Sequence, residues 1–102
     1  MPHILMARLR ERPEDGSLSE PQQNDLCAFL KSRLFPAPAT AVYYGTEFSG
    51  MNPGSFLFLA VYDDIDALEE GTRIISGATN EYLKLLQLKP YHVFDRSIFQ
   101  VV

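Results

Sequence analysis

The sequence predicts an α+β domain with the ferredoxin-like order β-α-β-β-α-β, a four-stranded antiparallel sheet that doubles into a dimeric α/β barrel. Three observations lead there. Ser55–Tyr62 holds the one unbroken run of seven apolar or aromatic residues, which reads as a strand covered on both faces. Four strand-like and two helix-like segments alternate in an order that right-handed crossovers fold into that topology. Two helices can cover only one face of such a sheet. Leu57, Leu59 and Val61 would then form an exposed apolar patch on the other face, and a second copy of the sheet is the economical cover.

Each element carries its own signal. His3–Arg10 reads as the first strand, apolar on both faces at its start and therefore central. Glu11–Leu18 is a polar loop. Ser19-Glu-Pro-Gln22 fits a capping box opening a helix to about Phe35, with Leu26, Phe29, Leu30 and Leu34 as its buried stripe. Pro36-Ala-Pro38 stops it. Thr40–Phe48 is the second strand, and Asn52-Pro53-Gly54 turns the chain into the third. Asp66-x-x-Glu69 caps a second helix whose apolar stripe runs Ala67, Gly71, Ile74, Ile75, Ala78, Tyr82, Leu85 and Leu86. A break is expected at Ser76-Gly77, because a helical Gly costs on the order of 1 kcal/mol relative to Ala. Tyr91–Val101, after Pro90, is the last strand.

Composition bounds the rest. The chain of 102 residues is long enough for one domain spanning 1–102. Its net charge of −4 disfavours a nucleic-acid partner. No stretch suits a bilayer span and no signal peptide is recognisable, so a cytoplasmic protein without membrane contact is expected. The single cysteine, Cys27, excludes an intrachain disulfide, and it flanks the first helix's stripe with nothing nearby to activate it. Asp63, Asp64 and Asp66 sit where a helix start favours carboxylates, so capping explains them better than a metal does. No haem-ligand pattern, phosphate loop or nucleophilic triad appears, and no cofactor is expected.

The pattern resembles the stress-response A/B-barrel family of the dimeric α/β-barrel superfamily. His3-Ile-Leu-Met-Ala-Arg-Leu is similar to that family's first strand, Tyr44-Gly45 to the end of its second, and Val61-Tyr-Asp-Asp-Ile-Asp-Ala-Leu68 to its strand-to-helix junction. The resemblance implies a homodimer. It also implies, for the enzymatic members, polyketide cyclase or hydroxynitrile lyase chemistry with a Tyr and a His on the second helix. Here those positions fall at Gly71 and near Gly77, neither of which transfers a proton.

Candidate chemistry therefore lies elsewhere. His3 suits proton transfer near neutral pH and matches a pocket-lining position of the cyclases; a solvated terminal His is the alternative. Tyr62 and Tyr82 can hold a substrate oxygen or simply pack. His92 is expected at the opposite end of the sheet from His3. Tyr43 and Tyr44 face opposite sides of their strand. Arg96 suits a carboxylate or a surface ion pair. The expected site lies between sheet and helices, with His3, Tyr62 and Tyr82 catalytic and Phe29, Phe56, Phe58, Gly71, Ile75 and Ala78 binding a hydrophobic small molecule. The small residues at Gly71, Gly77 and Ala78 have two outcomes: the helix moves in and closes the gap, or Phe29, Tyr62 and Tyr82 hold it off and leave a cavity with His3 at its edge, which is the outcome expected. Three functions fit: a cofactor-independent cyclase or lyase acting on an apolar, oxygenated, polyketide-like substrate; a cofactor-independent monooxygenase; or a non-catalytic dimer that binds a small molecule or another protein.

Overall fold

In a computed structural model, residues 1–9, 20–49, 56–87 and 94–102 are described. They form β1 (His3–Leu9), α1 (Glu20–Leu34), β2 (Ala41–Thr46), β3 (Phe56–Tyr62), α2 (Ile65–Leu85) and β4 (Phe94–Gln100). The strands make one antiparallel sheet in the order β2-β3-β1-β4, which is the ferredoxin-like fold expected. Both strands read as central, β1 and β3, are central. The Ser19 cap, the Asn52-Pro53-Gly54 turn, Pro90, Tyr91 and His92 lie outside the described residues.

Strand alternation divides the sheet into two unlike faces. On one face Leu5, Ala7, Val42, Phe56, Phe58, Ala60 and Tyr62 are buried beneath the helices. From α1, Leu26, Cys27, Leu30 and Leu34 complete that core. Cys27, expected at the margin of the stripe, is fully buried, and Phe29 is only partly so.

The second helix departs from expectation in three respects. It runs unbroken through Ser76-Gly77, because Gly77 lies on the outer face, where its missing side chain leaves no gap. Its N-cap is Asp64, two residues earlier than expected; the Asp64 carboxylate accepts the Ala67 N–H at 2.8 Å. Its buried residues are Leu68, Gly71, Ile75, Ala78, Thr79 and Leu83, whereas Leu85 is exposed. The buried arc is turned because α2 covers two things at once, the sheet beneath it and α1 beside it. Tyr82 stacks near Phe29, ring centroids 6.1 Å apart, and Arg33 of α1 reaches Glu81 at 3.2 Å across the same joint. Among the described residues no helix is long and apolar enough to cross a membrane.

Candidate functional site

The helix-covered face holds most of the expected site residues, and they are packed together rather than spaced around a void. Tyr62 ends β3, is fully buried, and points at α2. Gly71 is the residue it meets: a Cβ built there would run into the phenol ring at its Oη, Cε1 and Cζ. The small residue at Gly71 therefore seats the Tyr62 ring and does not leave the cavity the sequence suggested. Phe56, Phe58, Ile75 and Ala78 belong to the same core cluster, with Phe29 packed against it.

The Tyr62 hydroxyl has no hydrogen-bond partner although it is buried. Burial pushes its pKa up to about 12, so it is a phenol and a donor across the physiological range. A buried hydroxyl without a partner is unusual enough to need a reason. His3 lies directly opposite Tyr62 in the β1–β3 register, on the same face, and its Nδ1 is 3.0 Å from the Met1 carbonyl oxygen. Tyr82 is engaged elsewhere: its hydroxyl donates to the Gln22 carbonyl at 3.5 Å, at the α1–α2 joint. Its pKa is raised by burial and, secondarily, by the negative charge of Asp25. The fold thus brings His3, Tyr62 and Gly71 together and draws Tyr82 and Phe29 into the helix–helix contact.

The other face of the sheet has no layer over it. The strand registers arrange it in three rows. They read Ala41–Val61–Ile4–Phe99, Tyr43–Leu59–Met6–Ser97 and Gly45–Leu57–Arg8–Asp95, each in the order β2, β3, β1, β4. Tyr43 is 64% exposed and Phe99 46%. At the Gly45 corner a hollow of about 210 Å³ is lined by Met6, Tyr43, Gly45, Leu57 and Leu59 among others. It exists because Gly45 carries no side chain, and nothing lies within 4 Å of where its Cβ would be. Charge is confined to the same end: Arg8 donates to Glu47 at 2.9 Å and keeps a buried Nε–H without a partner. Sequence reasoning found the patch on β3 but missed this hollow, although Gly45 directly after Tyr43 and Tyr44 was its signal. Arg96 follows the alternation onto the helix side of β4, in register with Ala7.

Three solved structures illustrate what the chain is similar to. A dimeric ferredoxin-like protein of unknown function from Thermobifida fusca YX matches with TM-score 0.62 and 14% identity, over 99% of this chain and 92% of that one. A candidate antibiotic biosynthesis monooxygenase from Chloroflexus aurantiacus matches with TM-score 0.58 and 10% identity, over 100% and 94%. SnoaB, a cofactor-independent oxygenase from Streptomyces nogalater, matches with TM-score 0.52 and 14% identity, over 98% and 92%. At these identities the likeness establishes a common fold. No curated protein sequence matches the chain. The model of one family matches residues 16–101, most of the length, and the chain accordingly belongs to that family, DUF6854, whose description is a domain of unknown function.

Proposed function

We propose that two copies of this chain close over their open sheet faces into a homodimeric α/β barrel, and that the dimer handles an apolar, oxygenated, polyketide-like small molecule. The observation that carries the dimer is the uncovered face itself. Ile4, Met6, Leu57, Leu59, Val61 and Phe99 form a contiguous apolar surface on a sheet whose other side is already filled. The dimeric character of the Thermobifida protein of the same fold supports it. Sedimentation of the wild-type protein tests it: a dimer is expected at tens of micromolar, and a monomer there would overturn the reading.

Catalysis is a second reading, favoured by the Tyr62 hydroxyl. A buried phenol with no protein partner suits the carbonyl or enolate oxygen of a ligand, which it would bind as donor. His3, its neighbour across the register, is the group that would take the proton. Tyr82 would bound the same space, with Phe29, Phe56, Phe58, Gly71, Ile75 and Ala78 as the apolar lining. Ligand reaches Tyr62 in this reading only when α2 lifts from the ring it now seats at Gly71.

Between the chemistries, cofactor-independent oxygenation has the support of SnoaB's activity on the same fold, and the cyclase or lyase has that of the stress-response A/B-barrel resemblance. In the oxygenation, O₂ gives one atom to a substrate methylene carbon, which becomes a carbonyl. The other atom leaves as water with the two methylene hydrogens. The test is oxygen uptake with a polycyclic phenol carrying such a methylene, with no cofactor added. Uptake that Tyr62→Phe abolishes supports the reading. No turnover by the wild-type dimer, of oxygen or of a cyclisable polyketide mimic, leaves the non-catalytic dimer.

A further inference from the structure

The open face has two features that match each other: a hollow at one corner and an exposed phenyl ring at the opposite one. Gly45, on edge strand β2, ends one row; Phe99, on edge strand β4, ends the row at the far end of the strands. The hollow of about 210 Å³ exceeds the roughly 150 Å³ that is enough to take up benzene in a protein interior. Resting on the homodimer reading above, we infer that the two sheets cross at nearly a right angle, with Phe99 of each copy seated in the Gly45 hollow of the other and Arg8 of each copy against the partner's Asp95.

The argument is geometric. Strands lie about 4.8 Å apart and alternate residues about 6.8 Å apart, so the three rows and four strands outline a square about 14 Å on a side. A two-fold axis that brings a face against its own copy lies in the plane between them, and every contact it makes occurs twice. Four placements respect the outline. An axis along the strands sets Gly45 over the partner's Asp95 and Arg8 over the partner's Leu57. An axis across the strands sets Gly45 over the partner's Ala41 and Arg8 over the partner's Ile4. The diagonal through Gly45 and Phe99 sets each of these over itself and Arg8 over the partner's Tyr43. All three leave the hollow without a knob, and the first two press a guanidinium onto an apolar side chain.

The remaining diagonal, through Ala41 and Asp95, sets these two each over itself and fills the hollow. Gly45 faces the partner's Phe99. Tyr43 faces the space between the partner's Ile4 and Val61. Met6 and Leu59 meet near the centre. Arg8 lands between the partner's Asp95 and Ser97, where its unpartnered Nε–H and the carboxylate are complementary. Two guanidinium groups then flank the two Asp95 carboxylates at the axis. A diagonal axis crosses the strands at about 90°, one of the two packing angles that face-to-face sheets adopt.

Cross-linking distinguishes the placements. Facing positions are about 10 Å apart between packed sheets, too far for a disulfide and right for a short bis-maleimide. Gly45→Cys mixed with Phe99→Cys is expected to give a covalent dimer that neither variant gives alone. Cys27 does not compete, being fully buried. A covalent dimer from Gly45→Cys alone, or from its mixture with Asp95→Cys or Ala41→Cys in place of Phe99→Cys, assigns another axis and overturns the inference while the homodimer stands. A monomer in sedimentation overturns the homodimer reading itself. Gly45→Leu gives a second readout, since a Cβ there meets nothing within 4 Å in the single chain and the rest of the side chain would fill the hollow. It is expected to weaken dimerisation at least ten-fold with an unchanged circular dichroism spectrum; an unchanged dissociation constant overturns the role of the hollow.

Discussion

Phe58 and Leu59 are neighbours on β3, yet Phe58 is 1% exposed and Leu59 is only half-buried. Both are large apolar side chains on a central strand, so neither propensity nor local pattern separates them. What differs is the covering layer. The Phe58 face is closed by α1 and α2, which arrive with the same chain, and the Leu59 face is left for something that does not. Stability on the first face is a property of the folded monomer. On the second, in the proposed dimer, it depends on protein concentration.

Substituting these two neighbours separates the faces most sharply. Phe58→Ala should cost about 3–5 kcal/mol of folding stability, measured by denaturant unfolding, whatever the protein concentration. Leu59→Glu should place an unpaired carboxylate in the proposed dimer contact at a cost of several kcal/mol. In sedimentation this variant is expected to be a folded monomer, and a dimer of normal affinity would show that the open face is not the interface.

Gly71→Ala probes how closely the covered face is packed. A single methyl meets the Tyr62 ring, which is fully buried and has nowhere to swing. Overpacking of about 1–3 kcal/mol set against a gain of about 1 kcal/mol from better helix propensity leaves an expected net loss of up to about 2 kcal/mol. Unchanged or increased thermal stability would mean that α2 stands off the sheet after all.

The smallest effect is a pH dependence that belongs to the covered face alone. Burial holds the Cys27 thiol and the Tyr62 phenol at about 12, against ordinary values of 9.0 and 10.0. Both shifts are upward, so the unfolded chain loses these protons first. Their contribution is complete below pH 9 and declines as pH rises from there through 12. At pH 10 Cys27 alone should cost on the order of 1 kcal/mol relative to pH 7. Cys27→Ala should flatten the decline between pH 9 and 10, as followed by melting temperature; an equally steep decline would assign it to other groups.

The sheet was legible in the sequence because its signals are local. The apolar run of β3, the two-sided start of β1 and the helical spacing of α1 each read correctly within a residue or two. The α2 stripe was half legible: helical spacing places Gly71, Ile75 and Ala78 in it, but it also includes the exposed Leu85 and leaves out the buried Leu68, Thr79 and Leu83. A stripe read from spacing assumes one covering surface, and α2 packs against two. Gly71 could not be read at all from its neighbours. Whether a glycine leaves a void or seats a ring is decided by Tyr62, which arrives from another strand. The registers that set Gly45 and Phe99 at opposite corners likewise emerge only when four strands are paired.

One further feature bears on how the sheet comes together in time. The backbone N–H of Val101 donates to the Pro2 carbonyl at 2.9 Å, and the register joins His3 to Gln100. The central strand β1 thus finds one of its two neighbours almost a whole chain length away. Its other neighbour, β3, is also distant, whereas the β2–β3 pair closes a short connection. Distant pairings must meet the entropy of loop closure before any contact rewards it, and this is the usual reason that such topologies fold slowly. The order of assembly follows: β2–β3 and the helices can form early, β1 must insert against β3, and β4 completes the edge last. Until β4 docks, β1 offers a bare hydrogen-bonding edge beside an uncovered apolar face, so the nascent monomer is most exposed to association in the interval before its two ends meet.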